Sequence, residues 1–302
     1  MTTTRAHLTA HLLLAGSVLF WAGNWVLARA LRYDAPPIAL AFWRWTSALA
    51  FLLPVAAPHL RADWRELARS WKTLFLLGVL ATSLQHIPVY VGLRYTTATN
   101  GALLYSTTPV FILLAARAVL HEPIGGASLA GIVLSLAGAA VLVTRADWSV
   151  IATFGFNVGD FCTLIAATSW AVYTIILRWR PLNLKPVTAL AAMAAAGVVS
   201  MLPLYAWEIA SGRVLKVSTA SVLGIGYLGL FATVLAYLAW NRGVEIIGAV
   251  RAGPYLYLLP VFAAALATLL LGEQLHGYHF AGVALIFGGI YLTSKRTPRL
   301  RA

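Results

Sequence analysis

Charged residues are scarce in this chain. Only 10% of its 302 residues are Asp, Glu, Lys or Arg, whereas 61% are hydrophobic and the mean hydropathy is +0.82. In a typical soluble domain, roughly a quarter of the residues are charged. The longest hydrophilic stretch, near 58–70, is too short to fold alone. The composition therefore excludes a water-soluble globular protein and indicates an integral membrane protein.

The residues that several kinds of site require are also missing. The single cysteine, Cys162, excludes an intramolecular disulfide and a Cys-x-x-Cys redox or metal site. The sequence has no Walker A motif for ATP hydrolysis, and His121-Glu122 lacks the second histidine of a His-Glu-x-x-His motif. An intramembrane enzyme, which needs clustered His, Asp, Glu or Ser near one membrane face, is disfavoured. We expect no catalytic residue, no metal and no cofactor.

Long apolar runs dominate what is present. A helix that crosses the hydrocarbon core needs about 20 mostly apolar residues, and strands of a transmembrane barrel would be shorter and alternating. Ten runs meet the helical requirement and are numbered spans 1 to 10. They lie near 9–29, 36–57, 72–92, 98–119, 127–144, 158–178, 186–207, 217–240, 247–271 and 277–294. The predicted fold class is an all-α integral membrane protein with ten transmembrane helices.

The basic residues predict the orientation of these spans. With the N-terminus inside, 15 of the 22 Lys and Arg residues fall on the inner side, six fall on the outer side, and Arg44 lies within span 2. Cytoplasmic loops carry such an excess, so we expect both termini in the cytoplasm. The basic residues that give the net charge of +13 lie between apolar runs rather than on one stripe, which favours a lipid bilayer over nucleic acid as the partner. The pattern suits a bacterial inner membrane.

The second half of the chain repeats the first. A shift of 151 positions aligns identical residues, and earlier in each half the shift is 149. The aligned pairs include Gly78/Gly229, Thr82/Thr233, Pro109/Pro260, Glu122/Glu273, Gly131/Gly282, Gly138/Gly289 and Trp21/Trp170. We divide the chain into repeats 1–147 and 148–302. Because each repeat holds five spans, an odd number, the second copy must enter the membrane in the opposite direction. Inverted repeats that surround a midplane site are typical of alternating-access transporters.

The end of each half resembles the EamA-type transporters of the drug/metabolite transporter superfamily. The segments are TTPVFILLAARAVLHEPIGGASLAGIVLSLAGAAVLV at 107–143 and LLPVFAAALATLLLGEQLHGYHFAGVALIFGGIYL at 258–292. Both have Pro-Val-Phe, an apolar run, a Glu near the helix end and a Gly-rich helix, although the first has His-Glu-Pro where the family usually has Gly-Glu. The resemblance implies a central cavity between the halves, with spans 5 and 10 at the periphery. It also implies export of amino acids, metabolites or toxic organic compounds.

Two polar stripes mark candidate substrate contacts. Each stripe has polar residues at i, i+4 and i+8, which form one helical face, and the repeat relates the two stripes. Span 3 carries Thr82, His86 and Tyr90 with Gln85 beside them, and span 8 carries Thr233, Tyr237 and Asn241 with Trp240 beside them. These residues either line a cavity, which we favour because symmetric stripes should meet at the pseudo-axis, or join neighbouring helices as packing contacts.

Further candidates lie in spans 1, 2 and 6. Trp21 and Trp170 correspond through the repeat, as do Asn24 and Tyr173. Arg44 lies about eight residues into span 2, so about 12 Å along the helix axis, where a cation is costly. Either Arg44 attracts a carboxylate or another anionic group of the substrate, or it snorkels or is caged by carbonyls and tyrosine rings.

The remaining candidates shape the helices or close their ends. Tyr105, Tyr255 and Tyr257 are candidate gates beside the kinks expected at Pro109 and Pro260, with plain packing as the alternative.

Glu122 and Glu273 lie at hairpins, where we expect each carboxylate to cap the next helix.

None of the nine acidic residues lies at the centre of a span, and His86 is the only mid-span group whose reference pKa is near neutral. We therefore expect uncoupled or exchange transport of small molecules, with amino acids as the first choice. The alternative substrates are amphipathic or cationic toxic compounds.

Overall fold

The computed structural model describes residues 3–31, 34–92, 95–96, 98–147, 149–152, 156–271 and 276–294, and the regular structure in these ranges is helical. The first repeat contains α1 (Thr3–Ala30), α2 (Pro37–Ala81), α3 (Ser83–Gly92), α4 (Ala98–Tyr105), α5 (Thr108–Val119) and α6 (Gly126–Thr144). The short helix α7 (Ser149–Ala152) follows. The second contains α8 (Val158–Trp179), α9 (Pro186–Ala210), α10 (Thr219–Gly229), a π-helix (Leu230–Leu235), α11 (Ala236–Ile247), α12 (Ala249–Ala252), a 3₁₀-helix (Gly253–Tyr257), α13 (Leu258–Leu271) and α14 (Gly277–Ser294).

These helices account for the ten predicted spans. Within the described ranges, eight helical stretches are long and apolar enough to cross a membrane. One of them, Pro37–Gly92, is 56 residues long and holds spans 2 and 3, and α14 supplies span 10.

The long helix α2 must reverse direction between these two spans. Near its start, Ala39 N donates to a Glu208 carboxylate oxygen at 2.6 Å, whereas Thr82, just after its end, lies against Gly197. A straight helix would separate Ala39 from Thr82 by about 65 Å, but Gly197 and Glu208 are only about 17 Å apart along α9. Spans 2 and 3 therefore run antiparallel, and the chain turns near the point where His59 meets Lys185.

The packing of α6 against α14 shows that the repeats are inverted. A Cβ added to Gly131 would lie 2.4 Å from the carbonyl oxygen of Gly289, and one added to Gly138 would lie 2.7 Å from that of Gly282. The order is antiparallel, and each contact is the repeat image of the other. At the crossing, Ser135 donates to the carbonyl of Ile286, its own counterpart, at 3.3 Å. The pseudo-twofold axis therefore passes through this crossing.

Glycine contacts show the same symmetry in two other pairs of helices: the contact of span 3 with span 7 is the repeat image of the contact of span 8 with span 2. A Cβ on Gly78 would meet Ala196 at 2.8 Å, and one on Gly229 would meet Ser47 at 2.1 Å. Gly78 corresponds to Gly229, and Ser47 corresponds to Ala196. Small residues allow helices in membranes to approach closely, which explains their conservation between the two copies of the repeat.

Buried carboxylates cap the N-termini of two helices on the predicted outer side of the membrane. Glu208 accepts from the backbone N–H groups of Ile38 and Ala39 at the start of α2. Asp160 completes a capping box with Asn157 and accepts from the Thr96 hydroxyl at 2.5 Å. Both satisfy N–H groups that a helix start leaves free.

The cap predicted for Glu122 is not present. The helix α6 starts at Gly126 after Gly125 without a side-chain cap, and Glu122 lies instead near Gly248. Residues 123–125 separate Glu122 from the start of α6, and His121 in the same hairpin adopts a left-handed conformation with φ of 54°. Its counterpart Glu273 lies outside the described residues.

Candidate functional site

Arg44 lies at the interface between the halves and is 1% exposed. Its Nε donates to Thr233 Oγ1 at 2.8 Å, and its Nη2 donates to the carbonyl oxygen of Ala232 at 2.9 Å. Its Nη1 donates to Asn24 Oδ1 at 3.2 Å and contacts His86 Nε2 at 2.8 Å. All four partners are neutral acceptors in this arrangement. Among the described residues, no carboxylate lies within 4.0 Å of the guanidinium.

The contact with Arg44 fixes the form of His86. Because guanidinium nitrogens only donate, His86 Nε2 must accept, and the proton lies on Nδ1, which donates to the carbonyl of Thr82 at 3.1 Å. His86 is therefore a neutral imidazole while it contacts Arg44.

Distorted helices supply carbonyl groups for these bonds. The π-helix places a wider turn in the middle of span 8, and the Ala232 carbonyl accepts from both Arg44 and Trp21 Nε1. The matching point of span 3 is the break at Thr82, where the Ala81 carbonyl accepts from the Tyr237 hydroxyl at 2.9 Å. Such distortions are frequent at functional sites. Here they turn backbone acceptors of both repeats toward the interface.

Aromatic rings surround this polar centre. The Tyr237 ring contacts the rings of Trp21, Trp45, Trp170 and Tyr173, with centroids 5.1 to 6.1 Å apart. Trp21 also meets Trp170 edge to face at 5.1 Å. The rings belong to both repeats, so the aromatic cluster spans the interface.

Several buried polar atoms near the centre have no hydrogen-bond partner. They are Trp45 Nε1, Trp170 Nε1, Trp240 Nε1, Tyr90 Oη and Gln85 Oε1. Buried polar groups are usually paired because an unpaired group costs about 1–3 kcal/mol. This set offers several donors and one amide acceptor for a ligand.

The structure brings most of the predicted site residues together. His86 and Thr233 contact Arg44, Tyr173 donates to Asn241 Oδ1 at 2.8 Å, and Gln85 donates to Tyr105 at 3.0 Å. The resemblance implied a central cavity, whereas these side chains pack against one another. Thr82, Thr233 and Trp240 are fully buried, and Tyr90, Gln85, Asn24 and Asn241 are half-buried. Arg44, Thr233 and His86 are buried in this conformation.

The other predicted residues lie away from Arg44. Tyr255 contacts His11 of span 1, and Tyr257 is buried with an unpaired hydroxyl. Spans 4 and 9 are interrupted just before Pro109 and Pro260, at Ser106–Thr107 and in the 3₁₀-helix respectively.

Sequence reasoning missed two parts of the centre. Trp45 is fully buried and contacts both His86 and Tyr237. Its repeat counterpart is Ala194, so the comparison of the halves gave no signal, and only its position beside Arg44 could have suggested it. The second part is the Ala232 carbonyl, which accepts from Arg44 and Trp21, and no residue type in the sequence indicates a backbone acceptor of this kind.

Known proteins resemble the chain over nearly its whole length. The model of the EamA-like transporter family matches residues 8–144 and 157–295. An uncharacterized transporter of Archaeoglobus fulgidus is 29% identical over 293 residues, which cover 95% of this chain and 97% of that protein. A probable amino-acid metabolite efflux pump of Salmonella typhimurium is 28% identical, with 94% of this chain and 95% of that protein covered.

The fold also matches a solved structure. One crystal structure superposes with a TM-score of 0.79 at 20% identity and covers 97% of this chain and 98% of that chain. The family match spans both five-helix repeats, the helices pack with inverted symmetry, and the family consists of transporters rather than enzymes. The chain is thus a multi-pass membrane transporter that belongs to the EamA-like transporter family.

Proposed function

We propose that the protein exports amino acids by alternating access across a bacterial inner membrane, with both termini in the cytoplasm. In this proposal the repeats 1–147 and 148–302 rock about the centre at Arg44. The conformation described above, in which Arg44, Thr233 and His86 are buried, then corresponds to an occluded state between the two open states.

The uncompensated charge of Arg44 carries the proposal. A buried guanidinium is costly unless it is paired and hydrogen-bonded. Arg44 has hydrogen-bond acceptors but, among the described residues, no carboxylate partner. A substrate carboxylate would supply the missing negative charge, and it could accept two parallel N–H bonds from the guanidinium if it displaced one of the present neutral acceptors.

The surrounding groups suit the rest of an amino acid. The unpaired Gln85 Oε1 and Tyr90 Oη can accept from an α-ammonium group, and the unpaired indole N–H groups of Trp45, Trp170 and Trp240 can donate to carboxylate oxygens. The aromatic walls favour apolar or aromatic side chains. A substrate with only a positive charge would be repelled by Arg44, which disfavours the cationic compounds considered as the alternative.

The two relatives from enteric bacteria support this substrate class. Besides the Salmonella protein, a protein of Escherichia coli that is 27% identical over 287 residues is also a probable amino-acid metabolite efflux pump.

Counterflow in proteoliposomes tests the proposal with three matched compounds. We expect phenylalanine to exchange, phenethylamine, which lacks the carboxylate, to fail, and phenylpropionate, which lacks the ammonium, to exchange weakly. A matching set built on leucine separates a requirement for the carboxylate from a requirement for the ring. Equal exchange of phenylalanine and phenethylamine would contradict a carboxylate site.

A further inference from the structure

The segment that joins spans 2 and 3 has a buried side and an exposed side. In residues 61–72, which belong to α2, the less exposed positions are 63, 66, 67 and 70, and the exposed positions include 61, 64, 65, 69, 71 and 72. This spacing of three to four residues shows that one helical face lies against the protein. We call residues 61–72 the connecting segment.

The buried side of the connecting segment joins the two repeats. Asp63, Arg65 and Glu66 line a cavity of about 620 Å³ together with residues 183–186, which connect spans 6 and 7 of the other repeat. Just before the segment, His59 Nδ1 contacts Lys185 Nζ at 2.9 Å. Both acidic residues of the segment therefore lie on the side that faces the protein.

The exposed side carries positive charge alone. Arg61, Arg65 and Arg69 follow one another at intervals of four residues, which places them on one stripe, and Lys72 falls within the same sector. All four are exposed. Arg65 borders the cavity that Asp63 and Glu66 line, but among the described residues none of the four basic side chains forms an ion pair with these acids within 4.0 Å.

Two tryptophans flank the basic stripe. Trp64 and Trp71 lie seven residues apart, so they share a face, and they are 67% and 58% exposed. Lys72 Nζ lies 5.8 Å from the centre of the Trp71 ring. Tryptophan is enriched at the headgroup level of membranes, where an apolar ring and a polar N–H are both accommodated.

We propose that the exposed side of the connecting segment binds the headgroups of anionic phospholipids in the leaflet that contains it. The segment directly follows one span and precedes the next, so it lies at the membrane surface. Juxtamembrane basic clusters attract anionic lipids by about 1 kcal/mol per Lys or Arg, which equals about fivefold in affinity. The bound lipid also holds the segment, and with it the junction between the repeats formed by its buried side.

Thermal unfolding of the full chain in detergent tests this proposal. We expect added phosphatidylglycerol to raise the melting temperature more than phosphatidylcholine does, and the difference to shrink at high salt. The triple variant Arg61→Gln, Arg65→Gln and Arg69→Gln should need about 10- to 100-fold more phosphatidylglycerol for the same effect. Native mass spectrometry should show fewer retained anionic lipids on this variant. Inorganic phosphate serves as the control for a simple anion site and should have no effect.

The matched control removes the same charge elsewhere. Arg145→Gln, Arg213→Gln and Lys216→Gln together alter three basic residues on the opposite side of the predicted topology. The proposal is overturned if this variant loses the lipid effect as fully as the first, or if both phospholipids stabilise the parent protein equally. Neither readout involves transport, so the result does not depend on the proposed substrate.

Discussion

Replacing Arg44 by Gln separates a role in binding from a role in holding the fold. The change removes a buried cation whose insertion costs about 2.5–3.5 kcal/mol, and it also removes hydrogen bonds to Thr233, Asn24, His86 and the Ala232 carbonyl. Each of these bonds has a charged donor and contributes about 1.5–3 kcal/mol to the net free energy of folding. Together the four bonds outweigh the insertion cost, so we expect Arg44→Gln to lower the melting temperature by several degrees.

Substrate binding should also weaken in the Arg44→Gln protein that folds. A hydrogen bond to a charged group contributes about 1.5–3 kcal/mol, so losing it weakens carboxylate binding about 10- to 150-fold. Arg44→Lys keeps the charge but replaces three nitrogen atoms by one, so it cannot reach all of the present acceptors. It should retain part of the exchange activity that Arg44→Gln loses.

The assay is amino-acid counterflow in liposomes, with the melting temperature measured on the same preparations. Thr233→Val is the matched control, because it removes one hydrogen bond to Arg44 and leaves the charge in place. The reasoning is refuted if Arg44→Lys and Arg44→Gln both insert, fold and transport like the parent. Unfolding of Arg44→Gln together with normal folding of Thr233→Val would show that the guanidinium holds the two repeats together.

Three further predictions concern packing, capping and coupling. Gly131→Leu should lower the free energy of unfolding by about 1–3 kcal/mol, because even a Cβ at this position would lie 2.4 Å from the α14 backbone. Gly126→Ala is the control and should leave the free energy of unfolding unchanged, because no atom lies within 4 Å of its Cβ. Thermal melting measures both effects. Glu208→Gln should destabilise the protein by about 1–2 kcal/mol through loss of the α2 cap, and Glu245→Gln, in an exposed ion pair, should cost less than 1 kcal/mol. For His86→Gln we expect no change in the response of counterflow to a pH gradient, and a strong response that this variant abolishes would establish proton coupling.

The spans and their inversion were predictable because each depends on a signal that the sequence carries directly. Apolar length defines a membrane helix, and an odd number of helices in a repeat dictates inversion. The closeness of α6 and α14 follows from the matched glycines at 131, 138, 282 and 289, whose repeat spacing is visible in the letters. The family resemblance rested on the same segments.

The details of the centre were less predictable because they depend on backbone geometry. The π-helix at Leu230–Leu235 and the break at Thr82 have no proline, so no residue pattern indicates the carbonyls that they turn toward the interface. The capping prediction for Glu122 was wrong because α6 starts only at Gly126, so three residues separate Glu122 from the helix. Glu208, which does cap a helix, lies about 170 residues from its partners, and such a distance leaves no local pattern.

The crossing of α6 and α14 indicates that the chain can be divided into its two five-helix repeats and reassembled. Ser135 meets its own counterpart Ile286, and each glycine contact between α6 and α14 is returned by its image, so the two repeats interlock closely at this crossing. Two separately synthesised five-helix fragments should therefore find each other in the bilayer.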